Sequence, residues 1–511
     1  MIKNNILAVL IATTTLIATS YGQGLPVSTP EAEGVSSKGI LKFLDAAEKG
    51  RNELHSFVIV RHGKIISEGW WNPYGKDLKH VMFSVSKSFT STGVGLAIAE
   101  KKLALTDKIV GFFPQSLPDT LSDYMKNMTV EDLLKMSAGM ETDPIGKARN
   151  SSDWVKAFLS STVEHQPGTV FKYNNMATFM LSAIVQKATG EKLFDYLKPR
   201  LFVPLDFHNA TWDDTPEGYT FGAIGLRIVS NDMAKFGQLL LQKGKWNAKQ
   251  LVPGAWIEQA TSFKIKSDDP SNKTPAELND WKQGYGYQFW RCRNNAYRAD
   301  GLGGQFIIVM PDKDAVVVLT CSATNTQEVL DLVWDHLLPA MQSDKPLPDD
   351  KDSRAALIRR MSSLAVEGPA GDKETDILKK INEKKIEVLS NESGVRSLLL
   401  SQKANGLSLQ ITRDDDNTYD FVAANEKWLS GQRRFFSLAA APRPNQGTLS
   451  NVASKYAWTD ATTLEFASKF VEDSIGTETW VLKFEDDGTT VNVHVEIKGM
   501  RPRTLDGKVV Y

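Results

Sequence analysis

Ser84 stands three residues before Lys87 in the stretch Met82-Phe83-Ser84-Val85-Ser86-Lys87. Both residue types are common, and about two such pairs are expected by chance in a chain this long. The surroundings must therefore decide what the pair is for. Residues three apart on a helix share a face. If Ser84 opens a helix, its hydroxyl sits at the positive end, where backbone N–H groups can receive an oxyanion. A serine hydroxyl is a poor nucleophile until a base takes its proton, and Lys87 would lie one turn in, beside it. The residues that follow are small: Ser88, Thr90, Ser91, Thr92, Gly93, Gly95, Ala97 and Ala99. Such a helix is expected to be buried centrally, and a buried lysine must be paired or functional.

A partner for the pair is offered by Tyr173-Asn174-Asn175, the only Tyr-x-Asn in the chain, just before an apolar helical pattern. As a phenolate stabilised by Lys87, Tyr173 could take the Ser84 proton and return it to a leaving group. Asn175 could bond Lys87 and a substrate carbonyl. The plainer reading is a buried tyrosine and a helix-capping asparagine. His80, four residues before Ser84, raises a Ser-His alternative. It has no Gly-x-Ser-x-Gly elbow to support it, and the seven histidines do not cluster. No spacing of His, Asp, Glu or Cys points to a metal or another cofactor.

Ser84-Val85-Ser86-Lys87 and Tyr173-Asn174-Asn175, in that order and spacing, resemble the serine β-lactamase and penicillin-recognising superfamily. The similarity is to its class C-like branch, with the family VIII carboxylesterases and nylon-oligomer hydrolases. "VIVRHGKIISEG", "MTVEDLLKMSAGM" and "LQKGKWNAKQLVP" fit the same pattern, so the resemblance spans about Pro26 to Pro339. It implies a serine hydrolase working through an acyl-enzyme, with Ser84, Lys87 and Tyr173 catalytic. The chain departs from the family at the third motif. Where Lys-Thr-Gly or His-x-Gly is usual, it has Ala299-Asp300-Gly301, followed by Leu302-Gly303-Gly304-Gln305. Nylon-oligomer hydrolases are similar here. By that match the Leu302 N–H would be the second oxyanion donor beside that of Ser84. Asp300, Gly301 and Gln305 would line the substrate cleft, although a solvent-facing Gln305 is an equal alternative. Lys282-Gln283-Gly284 has similar letters but precedes an earlier strand, so it reads as a decoy. Trp70, Trp71, Tyr285, Tyr287 and Trp290 are candidates for shaping the pocket, with core packing the commoner fate of such residues.

These residues need elements to hold them. Residues 56–71 read as two strands joined at His62-Gly63. From Ser84 to about Asp280 helical patterns dominate; one opens at a Thr129 cap and another ends at Gly244. "YGYQFWRCR", "GGQFIIVMP" and "DAVVVLTCS" are three further strands, and a helix follows over about 327–341. Strands at both ends with helices between predict an α+β domain: an antiparallel sheet flanked by helices, with a helical lobe and a cleft at the seam. "SDKPLPDDKDS" at 343–353 has linker composition. From about Glu383 alternation takes over and predicts a separate antiparallel β domain, sandwich or barrel. The expected division is 1–22, 23–342, 343–382 (linker and helix) and 383–511.

The 511-residue chain has a formal net charge of −1 and no basic block, which excludes an electrostatic case for nucleic acid. Lys3, the apolar run Ile6 to Ala18, and Ser20-Tyr21-Gly22 read as a secretory signal peptide cleaved after Gly22. A membrane anchor is the alternative, and the run is short for a span. The mature protein is expected to be periplasmic or secreted. Its two cysteines, Cys292 and Cys321, are read as buried thiols, although export would allow a disulfide. Three functions remain in view: an esterase or amidase on a small-molecule or peptide substrate, a D-Ala-D-Ala peptidase or β-lactamase, and a scaffold without turnover that binds through its β domain. Oligomeric state is left open by the sequence.

Overall fold

The structure, a computed structural model, describes residues 24–268, 272–389, 391, 393–435, 448–497 and 503–510. The signal-peptide reading of residues 1–22 lies outside them. Strands from the two ends of the first 340 residues build one six-stranded antiparallel sheet. Its order is Lys64–Trp70, Glu53–Arg61, Ala315–Ser322, Gln305–Met310, Tyr297–Gly301, Trp290–Arg291. Side chains alternate between faces along a strand, and this sheet buries both. Val58, Val60, Ile307, Val309, Val316 and Val318 join the large core shared with the helical lobe. Phe57, Ile59, Phe306, Ile308, Val317 and Leu319 pack into a second core with the Ser37–Lys49 and Thr326–Leu332 helices. Doubly buried strands explain their nearly continuous apolar sequence.

Two helices of the lobe carry Lys87 and Asn175. Ser86–Ala99 is buried from Ser86 through Ala97, as its run of small residues requires. Asn175–Thr189 packs against it, opened by an Asn174 side chain that accepts from the Ala177 N–H and closed by Gly190 in the left-handed region. The Thr129 start expected from sequence is a full capping box with Asp132.

Within 343–382, expected as linker and helix, a docked helix begins inside the linker-like stretch. Lys351–Ser362 packs on the Ser37–Lys49 helix, and its neighbour Leu364 is buried in the same core. From Lys385 onward ten antiparallel strands form one sheet with its own apolar core. Its first- and last-ordered strands, Thr418–Ala423 and Leu429–Arg434, are sequence neighbours, and a parallel bridge pairs Ala424 with Lys455. The sheet thus curls into a near-barrel, the barrel alternative of the sequence reading. Both cysteines are buried.

Candidate active site

Ser84 lies in a single 3₁₀ turn, Phe83–Val85, that runs straight into the Ser86–Ala99 helix. Phe83 carries a φ of 44°, a conformation that costs a non-glycine residue energy. Around it, Ser86 Oγ donates to the Phe83 carbonyl at 2.6 Å, and the Met82 N–H donates to the Leu226 carbonyl. The short strand His80–Val81, paired with Leu226–Ile228, delivers the chain to this turn.

Lys87 is 1% exposed. Its Nζ lies 3.1 Å from Ser84 Oγ, 2.8 Å from Asn175 Oδ1 and 2.9 Å from the Ala223 carbonyl oxygen. Burial depresses its pKa to about 7, opposed by the nearby carboxylates of Asp143 and Asp300. A neutral amine has two N–H donors and one lone pair. Asn175 and Ala223 take the donors, which leaves the lone pair to receive the Ser84 hydroxyl proton.

Tyr173 sits across the site, with its ring 5.0 Å from Lys87 Nζ and its hydroxyl bonded to Ser84. Although 36% of the residue is exposed, desolvation raises its phenol well above the ordinary range, with only partial relief from the Ser84 bond. Burial raises the Tyr173 phenol and lowers the Lys87 amine, which favours Lys87 as the base over the phenolate read from sequence. Asn175, the residue after the cap, holds Lys87 and is itself fixed by Asp143, whose Oδ2 accepts from both its N–H and its Nδ2 at 2.8 Å. Asp143 was not singled out in the sequence; its position on an irregular loop after Gly139 gives no periodic signal.

The Tyr297–Gly301 strand closes the opposite wall. A Cβ at Gly301 would lie 2.4 Å from the Met82 carbonyl oxygen, so only glycine lets this strand approach the nucleophile's turn. Leu302 follows in the hairpin and is 67% exposed. Asp300 is the polar group on this wall, close enough to Lys87 and Tyr173 to influence both. Burial raises its carboxyl pKa, while Arg298, whose Nε donates to Oδ2 at 2.8 Å, pulls it back. Arg298 itself is wholly buried behind Asp300, over the Trp281 ring. The cleft is thus offered a carboxylate and not the cation.

Gln305 neither lines the cleft nor faces solvent, a second correction. It is fully buried; its Nε2 donates to the carbonyls of Leu302 and Cys321, and its Oε1 accepts from the Cys321 N–H. With its amide saturated in this way, it braces the Leu302 turn from behind. Of the aromatic candidates, Trp290 alone stacks on Tyr173, with centroids 6.0 Å apart, while Tyr285 and Tyr287 are buried. His80 points its ring nitrogens at His55 and the Val81 carbonyl. Burial and His55 depress it to about 3, so it offers Ser84 no base. Lys282 of the decoy motif pairs with Asp268 and the Asn272 carbonyl.

A Ser-Lys-Tyr constellation at the seam of an antiparallel sheet and a helical lobe defines a class of serine hydrolase. The Beta-lactamase family model matches residues 45–372, more than half of the chain, and the chain belongs to that family. The 6-aminohexanoate-dimer hydrolase of Paenarthrobacter ureafaciens is 24% identical over 288 residues, covering 52% of this chain and 71% of that one. The Beta-lactamase of Escherichia coli (strain K12) is 26% identical over 220 residues, 39% of this chain and 56% of the relative. Among solved structures, "Putative 6-aminohexanoate-dimer hydrolase from Bacillus anthracis" superposes with a TM-score of 0.51 at 21% identity, covering 64% of this chain and 89% of that one. That likeness bears on the fold alone. Among the described residues no helix is long and apolar enough to cross a membrane.

Proposed function

We propose that this serine hydrolase is exported and cleaves a neutral or cationic ester or amide through an acyl-enzyme on Ser84. The observation that carries the reading is the desolvated Lys87 amine 3.1 Å from Ser84 Oγ, with both of its N–H donors already engaged. Lys87 accepts the Ser84 proton as Oγ bonds to the substrate carbonyl carbon. The N–H groups of Ser84 and Leu302 receive the oxyanion. Collapse breaks the bond to the leaving group, which takes a proton from the Tyr173 hydroxyl while Lys87 reprotonates Tyr173. Water then attacks the acyl carbonyl, gives its proton to Lys87, and the Ser84 oxygen departs with that proton.

Substrate charge follows from the wall opposite Lys87. Asp300 stands where the resemblance would place a residue receiving a substrate carboxylate. Two like charges about 4 Å apart repel by ~1–4 kcal/mol, depending on exposure, an amount reduced by Arg298, whose Nε lies 2.8 Å from Asp300 Oδ2, and each 1.4 kcal/mol is about tenfold in rate. A relative named for hydrolysing the 6-aminohexanoate dimer and one named Beta-lactamase mark the two alternatives. The test compares turnover of a short acyl nitrophenyl ester with that of a chromogenic cephalosporin, in the unsubstituted protein and in Asp300→Asn. The ester is expected to be the better substrate, and Asp300→Asn to gain on the anionic cephalosporin. Efficient cephalosporin turnover, or no gain in the variant, contradicts the charge assignment and favours a β-lactamase or peptidase.

A further inference from the structure

Side chains tie the entry of the Ser84 turn to the central sheet. His80, on the His80–Val81 strand, is 3% exposed, and His55, on the Glu53–Arg61 strand, is wholly buried. Their rings meet at 2.9 Å, His55 Nδ1 against His80 Nε2. The two outer nitrogens end on groups that only accept. His80 Nδ1 lies 3.0 Å from the Val81 carbonyl oxygen, and His55 Nε2 lies 2.9 Å from Glu53 Oε1. Glu53 is ionised at neutral pH: burial would raise its carboxyl, but the His55 bond and the Lys469 charge hold it at about 2. The carbonyl and the carboxylate each need an N–H from the ring facing them, and the contact between the rings needs a third. Two neutral imidazoles supply only two. The pair therefore carries one proton beyond neutrality. The charge belongs on His55, which touches Glu53 and lies against the Tyr74 ring, with centroids 3.9 Å apart and planes 15° from parallel. Lys469 of the near-barrel faces the same carboxylate from the other domain. Burial and His55 depress His80 to about 3, which leaves it a neutral acceptor.

We infer that His80 is a positioning residue for Ser84, locked to the central sheet by a His55 imidazolium. The inference rests on the acyl-enzyme reading above. Phe83, with its φ of 44°, needs its surroundings to hold it. The Ser86 hydroxyl on the Phe83 carbonyl and the Leu226 carbonyl on the Met82 N–H brace the turn itself. The His80 ring braces the strand that enters it. Without the extra proton, two hydrogens serve three contacts, and either the Glu53 bond or the bond between the rings is lost. Loss of the latter frees the strand from the central sheet, and Ser84 Oγ can then drift from Lys87 Nζ. His80 acts on the reaction only through where it holds Ser84.

The experiment uses the full chain and two readouts. In the first, the protein is labelled with 15N at histidine, and long-range proton–nitrogen correlation spectra at neutral pH distinguish protonated from bare ring nitrogens. His55→Gln and His80→Gln assign the two rings. His55 is expected to show both nitrogens protonated, and His80 a protonated Nδ1 with a bare Nε2. The second readout is kinetic. His80→Phe fills the space of the ring but cannot accept from His55. It is expected to lower kcat for a short acyl nitrophenyl ester, and the rate of Ser84 labelling by a fluorophosphonate, by roughly tenfold or more, with KM within about twofold, as a small misplacement of a reacting group would. His80→Gln, whose Oε1 can stand in for Nε2, is expected to recover most of that loss. A His55 ring with one bare nitrogen, or an unchanged kcat in His80→Phe, would overturn the inference. So would equal losses in the Phe and Gln variants, the mark of packing alone. The spectra of the unsubstituted protein decide the proton count even if His80→Phe fails to fold. Failure of the fluorophosphonate to label Ser84 in the unsubstituted protein would instead overturn the acyl-enzyme reading, and this inference with it.

Discussion

At the scale of single residues, the proposed mechanism rests on one buried amine. Burial depresses Lys87 to about 7, while Asp143 and Asp300 act against it. A base works deprotonated, so kcat/KM is expected to rise with pH through about 7 and to be lost below it. Asp143→Asn removes a negative charge that favours the ammonium. The acidic limb should then move to lower pH, a shift that a purely structural loss would not produce. An unshifted limb would mean that another group titrates. In the proposed mechanism Lys87 and Tyr173 share one proton path, so the losses from Lys87→Ala and Tyr173→Phe should fall well short of multiplying in the double variant. Fully multiplicative losses would contradict a shared relay. Ser84, Lys87, Tyr173 and Asn175 were legible because helix periodicity and the rarity of a Tyr-x-Asn motif link residue type to position. The opposite pKa shifts of Tyr173 and Lys87 were not, since they depend on desolvation that only the assembled cleft creates.

At the scale of elements, close approach decides the geometry. The Tyr297–Gly301 strand reaches the Met82 carbonyl only because Gly301 has no side chain. Gly301→Ala would force the strand outward and carry the Leu302 N–H with it. We expect a loss of stability of ~1–3 kcal/mol, as for other overpacked sites, and a fall in kcat of about 100-fold, the scale of one lost oxyanion donor. A variant with normal kcat and an unchanged melting temperature would show that the wall does not depend on this contact. The same strand illustrates what alternation could and could not reveal. Apolar runs located the sheet strands, yet Gln305 looked like a cleft residue because its letter is polar. Its partners, the carbonyls of Leu302 and Cys321, come from a hairpin and a strand that sequence spacing does not bring together. The Lys351–Ser362 helix falls in the segment expected to hold a linker and a helix, but its start inside the linker-like stretch was masked: its composition is charged, and only Leu357 is buried among its own residues.

At the scale of the whole molecule, a buried ion pair ties the two cores. Lys469 Nζ of the near-barrel lies 2.5 Å from Glu53 Oε1 of the central sheet and is 1% exposed. Burial alone would raise Glu53; the His55 hydrogen bond and the Lys469 charge outweigh it and hold the carboxyl at about 2, below its ordinary 4.5. The folded pKa is the lower one, so this stabilisation is present above about 4.5 and is lost as pH falls from there toward 2. Acid unfolding of Glu53→Gln is expected to lack that component, and Lys469→Met to be destabilised at neutral pH, where Glu53 keeps His55 as its partner. Equal acid-unfolding curves for Glu53→Gln and the unsubstituted protein would remove the pair from the account. The β domain itself was legible as alternating strands, but its contacts with the hydrolase were not, since Glu53 and Lys469 lie 416 residues apart. Export is tested at this scale too. The mature chain is expected to begin at Gln23, and mass spectrometry of protein recovered with Met1 intact would contradict cleavage.

The claim on which the rest depends is the acyl-enzyme. Intact-mass analysis of the protein quenched during turnover of a nitrophenyl ester, followed by peptide mapping, tests it most directly. The expected result is one added acyl group located on Ser84 and absent from a folded Ser84→Ala variant, which should also be inactive. An acyl group on a different residue, or comparable turnover by Ser84→Ala, would contradict the account.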